Sequence, residues 1–453
     1  MTAQMLIIPS ENRNREFDAK LLLGCVAVEA GFRAIVGSRH DIHAWIAQLP
    51  PAIYLAKDLR ASSLVMTRIL RQLGHTIAAW DEEGLVYYSP AQYLAARVDP
   101  EVMNATDMLF AWGADNAQIW RGASPHRAAS VHEVGNPRLD LLRTDLRPFH
   151  ESQRRILHVD YGGYILINSN FGTVNHLLPD AAATAITRFR DSKAAEDHLR
   201  MLSYRRQLFE EFVAAAAGLA RAFPSTAVIV RPHPSENPEP WRRAARDLPN
   251  LHVRHDGNVI PWILGASAII HNGCTTAVEA AVMGRPAIAY QPIHDDRYEI
   301  RLPNCLSRRA SSLDALIALV DEGQEQDETT AQAPDVHAIL GQHLSGLDGS
   351  LCCDRIIAHL GMLAPRRSAQ RLGSILGKCR GRLQATLRRR RKSAFLHESD
   401  HKNGADYNSH RFPALAVSDV RLGIDRLALC LGRFDRVAVS ELRPNIFELY
   451  PAS

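Results

Sequence analysis

Two successive runs of alternating apolar strands and helices predict an α/β protein of two Rossmann-like domains, followed by a small C-terminal α+β segment. Three observations carry this. Short runs rich in Ile, Val and Ala recur with helix-spaced stretches between them. The 453-residue length exceeds one ordinary core. A turn-rich stretch, Gly135-Asn136-Pro137-Arg138, separates the first run from the second.

The first run begins with apolar residues 5–8, followed by a helical pattern over 19–30 that stops at Gly31, where glycine can take the left-handed conformation. Further strands are expected at 34–36, 53–55, 76–79, 108–111 and 130–134, with helices at 63–73 and 93–98 between them. The stretch 142–154 is a candidate hinge. In the second run, strands are expected at 164–168, 226–230, 251–254, 268–270 and 287–290, with a long helix over 195–222 and shorter ones at 241–246 and 276–283. Neither first strand leads into Gly-x-Gly-x-x-Gly, which argues against dinucleotide oxidoreduction.

The expected division is an acceptor or catalytic domain over 1–150, a nucleotide-donor domain over 151–360, a basic and partly flexible linker over 361–413, and an appendage over 414–453. Residues 321–328 read as a solvated acidic loop, and 414–451 as a helix followed by two strands. Between Arg366 and Lys392 stand eleven Lys/Arg and no acid, with Leu372, Ile375, Leu376, Cys379, Leu383 and Leu387 at helical spacing. An anionic membrane surface is one partner for such a stretch and a solvated basic linker the other reading, with Gly373, Gly377 and Gly381 expected to weaken a helix.

Hydrophobic residues at 46% and charged residues at 23% fit a soluble globular chain, and a net charge of +4 is too small to imply nucleic acid. Seven cysteines without metal-ligand spacing predict reduced thiols in a cytoplasmic setting and no structural zinc. No Asp-x-Asp motif stands at a strand end, and no metal or other cofactor is expected. No run of about 18 apolar residues predicts a membrane span, so membrane contact is expected to be peripheral.

Ligands of open parallel sheets sit beyond the carboxyl ends of strands. Asp81-Glu82-Glu83-Gly84 follows one such end. Three adjacent carboxylates are stable only when solvated or when one is partly protonated, and a carboxylate tuned this way can be a base or a nucleophile. A solvated acidic turn explains the same residues. Arg231-Pro232-His233-Pro234 follows another strand. Its prolines stiffen the loop, so Arg231 and His233 can be aimed at a phosphate, with His233 as proton donor; a rigid turn without chemistry is the plain alternative. Asn272-Gly273-Cys274-Thr275-Thr276 leads into a helix where Thr276 and Glu279 have capping-box spacing. The same turn offers amides and hydroxyls to a phosphate, and Glu279 a contact to a ribose. Arg15 and Lys20 are further candidates for an acidic sugar, against the simpler reading of a solvated helix start balanced by Glu11 and Glu16.

Glu82-Glu83-Gly84, His233-Pro234 and Thr275-Thr276 together resemble the three-motif pattern of bacterial sialyltransferases and Kdo (3-deoxy-D-manno-octulosonic acid) transferases. The chain is also similar to surface carbohydrate biosynthesis proteins through Glu11–Glu16, Asp81–Leu85, Gly135–Asp140 and Arg231–Pro234. The resemblance covers most of residues 1–310. It implies a GT-B fold with a facing cleft and a metal-independent glycosyltransferase moving an acidic sugar from a CMP donor to a lipopolysaccharide or capsule glycan, in the cytoplasm or at the inner membrane. Glu83 then acts at the reaction centre, His233 meets the CMP phosphate, and Thr275-Thr276 hold phosphate or ribose. Kdo transferases carry Asp where this chain has Glu83, which leaves nucleophile against base, and Glu82 against Glu83, open. A CDP-glycerol-type polyol-phosphate transferase, a UDP-sugar 2-epimerase-like enzyme and a non-catalytic scaffold of a polysaccharide assembly complex are the alternatives.

Overall fold

The computed structural model describes residues 3–178, 192–325, 334–363, 372–398 and 403–452. It divides into two compact units: Met1–Phe149 with Leu340–Ser453, and His150–Ile339.

The first unit is built on a sheet containing β1 (Met5–Ser10), β2 (Arg33–Ser38), β3 (Ile53–Ala56), β4 (Thr76–Ala79), β5 (Met108–Ala111) and β6 (Val131–Glu133). These six are parallel, in the order β2-β1-β3-β4-β5-β6. Their inward Ile7, Ile35, Tyr54 and Ile77 pack under Ile69 and Leu70 of the helix Leu64–Leu73. Burial of this kind, at roughly 25 cal/mol per Å² of apolar surface, is the main term holding such a layer together.

The C-terminal α+β segment extends this sheet. Its hairpin strands, β13 (Val437–Arg443) and β14 (Ile446–Pro451), follow the six strands of the second unit in sequence, and β14 pairs antiparallel with β2. Asn445 turns the hairpin at φ +61°, and its carbonyl accepts the Ser38 amide at 2.9 Å. Gly37 permits the approach, because a Cβ there would lie 2.1 Å from the Asn445 oxygen.

A second tie explains Gly135–Asp140. The Asp140 carboxylate accepts the Cys352 and Cys353 amides at 2.8 and 2.9 Å, capping the helix Cys352–Gly361, whose own N-cap residue Leu351 offers no side-chain bond. Gly135, at φ +84°, would place a Cβ 2.2 Å from the Ser345 oxygen. These contacts put the chain from Leu340 onward in the first unit rather than with residues 151–339.

Three local expectations are corrected. Much of the predicted hinge at 142–154 is helix, because Pro148 starts Pro148–Tyr161 and Glu151 pairs with Arg154 and Arg155 along it. Asp321–Glu325 continue the helix Leu313–Glu325 instead of forming a loop, and 326–328 lie outside the described residues. The basic linker contains a 22-residue helix, Leu372–Ser393. Its glycines do not break it: Gly381 lies against the helix Leu64–Leu73, where a Cβ would come within 2.9 Å of Gln72 Cβ. Residues 366–371 and 399–402 lie outside the described residues.

The second unit has a parallel sheet of β7 (Tyr164–Asn168), β8 (Ala227–Arg231), β9 (Leu251–Val253), β10 (Ala266–His271), β11 (Ala287–Tyr290) and β12 (Arg308–Ala310), ordered β12-β11-β10-β7-β8-β9. Phe212, Ala216 and Leu219 of the 31-residue helix Ser192–Ala222 join Ile165, Val228 and Ile270 in its core. The chain builds outward from β7 in one direction and then from β10 in the other. That makes the gap beyond β7 and β10 a topological switch point, where parallel sheets hold ligands. Among the described residues, no helix is long and apolar enough to cross a membrane.

Candidate active site

In the first unit, Asp81-Glu82-Glu83 follow β4 as predicted, but they are not a solvated acidic turn. Each carboxylate has its own cation. Asp81, fully buried, takes a bidentate pair from Arg97, with Nε to Oδ2 at 2.7 Å. Glu82, 2% exposed, accepts Lys20 Nζ at 3.0 Å and Trp80 Nε1 at 2.9 Å. Glu83 meets the Arg15 fork, with Nη2 to Oε2 at 3.2 Å. Removing three adjacent carboxylates from water requires such partners, so no shared proton is needed.

The same pairs overturn the solvated helix start. Glu16 and Lys20 are buried, and Lys20 bridges Glu16 at 2.6 Å to Glu82. Burial works against the Lys20 charge, yet Glu16 and Glu82 outweigh it and hold its pKa above the ordinary value. Glu83 differs from its neighbours in exposure, with 37% of its side chain open against 3% for Glu82. Partial burial opposes its charge too, but Arg15 foremost, with Arg97 and Arg138, keeps its carboxyl well below the usual carboxylate range. Of the three, only Glu83 is both ionised and open enough to meet a substrate.

In the second unit, the loop after β8 holds Arg231, His233 and Pro234. Arg231 is 8% exposed, donates to the Asp256 and Gly257 carbonyls at 2.8 and 3.0 Å, and lies 4.7 Å over the Trp262 ring. Burial lowers its pKa to about 10. Its guanidinium is committed to the fold, which corrects the expectation of a phosphate ligand. His233 is half-buried; its Nδ1 accepts the Ser235 amide at 3.2 Å, so in the neutral ring the proton sits on Nε2.

Glu236 organises this loop and was missed in the sequence. It is 3% exposed and accepts Ser169 Oγ at 2.5 Å, the Phe171 amide at 2.8 Å and the His233 amide at 3.1 Å. It thereby ties the loop after β7 to the loop after β8. Burial pushes its carboxyl up, against these donors. A carboxylate three residues beyond His233 in a strand-end loop was the available signal.

At the switch point, a pocket is lined by Arg205, Asn272, Gly273, Gln291, Glu299 and Asn304. Asn272 Nδ2 donates to the Asn170 carbonyl at 3.2 Å, while its Oδ1 is buried without a hydrogen-bond partner. Arg205 sits over Phe171 and donates to the Asn170 carbonyl. Sequence patterning did not single out Arg205, Gln291 or Glu299, because the first lies mid-helix in Ser192–Ala222 and the others in an irregular loop after β11.

The helix Thr275–Val282 begins beside this pocket, one residue before the predicted start. Its N-cap is Cys274, with Sγ 2.7 Å from Thr276 Oγ1. That register puts Thr276 and Glu279 inside the helix, so the predicted capping box does not form. Thr276 and Glu279 are buried, and Thr275 is half-buried. Next to them His271 is fully buried; Nδ1 accepts the Gly273 amide at 3.0 Å, Nε2 faces Ser307 Oγ at 2.8 Å, and burial takes its pKa down to about 3. Among the described residues, one group with metal-ligand chemistry stands close together, His294, Asp296 and Glu299, and His294 Nδ1 is already 2.6 Å from Glu299.

The motifs therefore lie on two units, Glu83 with Arg15 and Lys20 in one, and His233, Asn272, Gly273 and Thr275 on separate strand-end loops of the other, where Asn272 and Gly273 line the pocket. No family model matches the chain, and no curated protein matches it. Solved structures do. A structure of the wall teichoic acid polymerase TagF, a His-to-Asn variant soaked with CDPG, is 10% identical over 79% of this chain and 87% of that chain, with a TM-score of 0.52. The S. aureus MnaA–UDP structure is 13% identical over 80% of this chain and 96% of that chain, with a TM-score of 0.50. At these identities the likeness is one of fold, and the chain has the GT-B fold of two Rossmann-like domains.

Proposed function

We propose that this protein is a group-transfer enzyme of surface-glycan assembly, moving an acidic sugar of the Kdo or ulosonic type from a CMP donor to a glycan or lipid-linked glycan. Glu83 carries the reading, as the one open carboxylate in a cluster whose other members are buried and paired. A carboxylate held this firmly ionised is a weak base, which disfavours proton abstraction from an acceptor hydroxyl. Its charge still suits attack at an anomeric carbon with oxocarbenium character. In the proposed step, a Glu83 oxygen bonds to that carbon as the bond to the CMP phosphate breaks. An acceptor hydroxyl then displaces Glu83 and loses its proton to solvent.

In this reading the pocket of Arg205, Asn272 and Gly273 takes the nucleotide, and Thr275 contributes its hydroxyl to the phosphate. His233 offers its Nε2 proton to the departing phosphate, on a loop stiffened by Pro234. Ribose contact passes from the buried Glu279 to Glu299, which lines the pocket. Buried Thr276 supports the turn. A membrane-borne acceptor brings the work to the cytoplasmic face of the inner membrane.

A second reading is polyol-phosphate transfer from CDP-glycerol, favoured by the fold likeness to a polymerase soaked with CDPG. There the reaction is at phosphorus and needs no glycosyl-enzyme. The test is to offer the purified protein CMP-Kdo, CMP-sialic acid, CDP-glycerol and UDP-GlcNAc with glycan acceptors, and to measure CMP, CDP and UDP together with the intact protein mass. CMP release with a sugar adduct on Glu83 is the expected result. CMP release from CDP-glycerol alone supports the second reading, and silence with every donor favours a scaffold.

A further inference from the structure

The helix Leu372–Ser393 carries eight Lys/Arg and no acid, and its two faces have different partners. The inner face is small: Gly381 and Ala385 are buried, and Gly381 lies against Gln72 and Leu73. Arg389 is held over the Trp45 ring at 3.8 Å. The outer face is apolar, with Ile375, Leu376, Leu383 and Leu387 exposed by 63%, 67%, 61% and 53%.

At about 100° per residue, Leu376, Cys379, Leu383 and Leu387 fall in one stripe roughly 80° wide. Arg390 falls within it at its C-terminal end, Arg380 and Arg391 lie along one margin, and Arg382 stands roughly 60° beyond the other. We infer that this face is a docking surface for an anionic lipid bilayer, with the leucines inserted at the headgroup boundary and the flanking arginines on lipid phosphates. Charge complementarity selects that occupant. A second copy of the helix brings like charge against like charge, and a nucleic acid leaves the leucine stripe in water. Arginine stems reach past an apolar stripe to headgroups, as snorkelling side chains do. Four exposed apolar side chains give reversible binding that depends on anionic lipid, since each basic residue adds attraction only to a charged surface.

This inference stands independently of the transfer reading. The experiment co-sediments the full chain with vesicles of phosphatidylcholine alone and with vesicles containing about one third phosphatidylglycerol. The anionic vesicles are expected to bind at least about tenfold more protein, with binding falling as salt is raised. The triple variant Leu376→Ser, Leu383→Ser, Leu387→Ser should lose about tenfold in binding with its thermal unfolding unchanged, because these side chains face outward. Arg380→Gln with Arg391→Gln should erode the preference for anionic lipid. Leu422→Ser with Leu429→Ser, exposed on the helix Val417–Leu431, should bind as the wild type does. Equal binding to both vesicle types, an unaffected triple variant, or an equal loss in the Leu422/Leu429 control overturns the inference.

Discussion

The loop after β4 and the loop after β8 solve the same problem, burying charge beside a more exposed side chain, by different means. The first uses one cation per carboxylate: Arg97 for Asp81, Lys20 for Glu82, Arg15 for Glu83. The second uses one carboxylate, Glu236, surrounded by hydroxyl and amide donors, and one cation, Arg231, satisfied by backbone carbonyls. In both, the buried charge is scaffold and its half-exposed neighbour faces solvent. A charged residue in a strand-end motif can therefore serve the fold and leave its neighbour exposed.

The largest expected effects separate the members of the acidic triplet. Glu83→Gln should lower turnover by about 10³-fold, with stability within about 1 kcal/mol of wild type, because the lost pair is half-exposed. Glu82→Gln should do the reverse, destabilising the first unit by about 3 kcal/mol in denaturant unfolding, since Lys20 loses a buried partner. In the second unit, Arg231→Leu should cost about 2 kcal/mol by leaving the Asp256 and Gly257 carbonyls without their donor. If Arg231 were a phosphate ligand, nucleotide affinity would fall while stability held.

A pH dependence of similar size to the Arg231 effect is also expected. His271 has a folded pKa of about 3, below the 6.5 of a free imidazole, so the unfolded chain binds more protons between those values. Its contribution is fully present above pH 6.5 and is lost as pH falls, by about 2 kcal/mol between pH 7 and pH 5. Thermal unfolding of the second unit followed across that range should show the loss, and His271→Asn should flatten it.

Much of this was legible in the sequence. The strand and helix alternation was, because apolar periodicity records burial directly. So were the strand-end positions of Glu83 and His233. The pairing within the acidic triplet was not, because Arg97 stands 16 residues and Arg15 68 residues from its partner. Gly135–Asp140 carried no visible reason until Asp140 met the amides of Cys352 and Cys353, more than 200 residues on. The glycines of the basic helix misled for a related cause: propensity records an isolated helix, and Gly381 answers to the helix packed against it. Arg205 and Glu299 reach the switch point only through tertiary structure.

The proposed transfer depends on Glu83 as the carboxylate that attacks the sugar. The direct measurement is the rate of CMP release from CMP-Kdo, with acceptor present, by the wild type and by Glu83→Gln. Release by the wild type is expected, with a loss of about 10³-fold in the variant and matching unfolding curves for the two. Release at an equal rate by both proteins would contradict it.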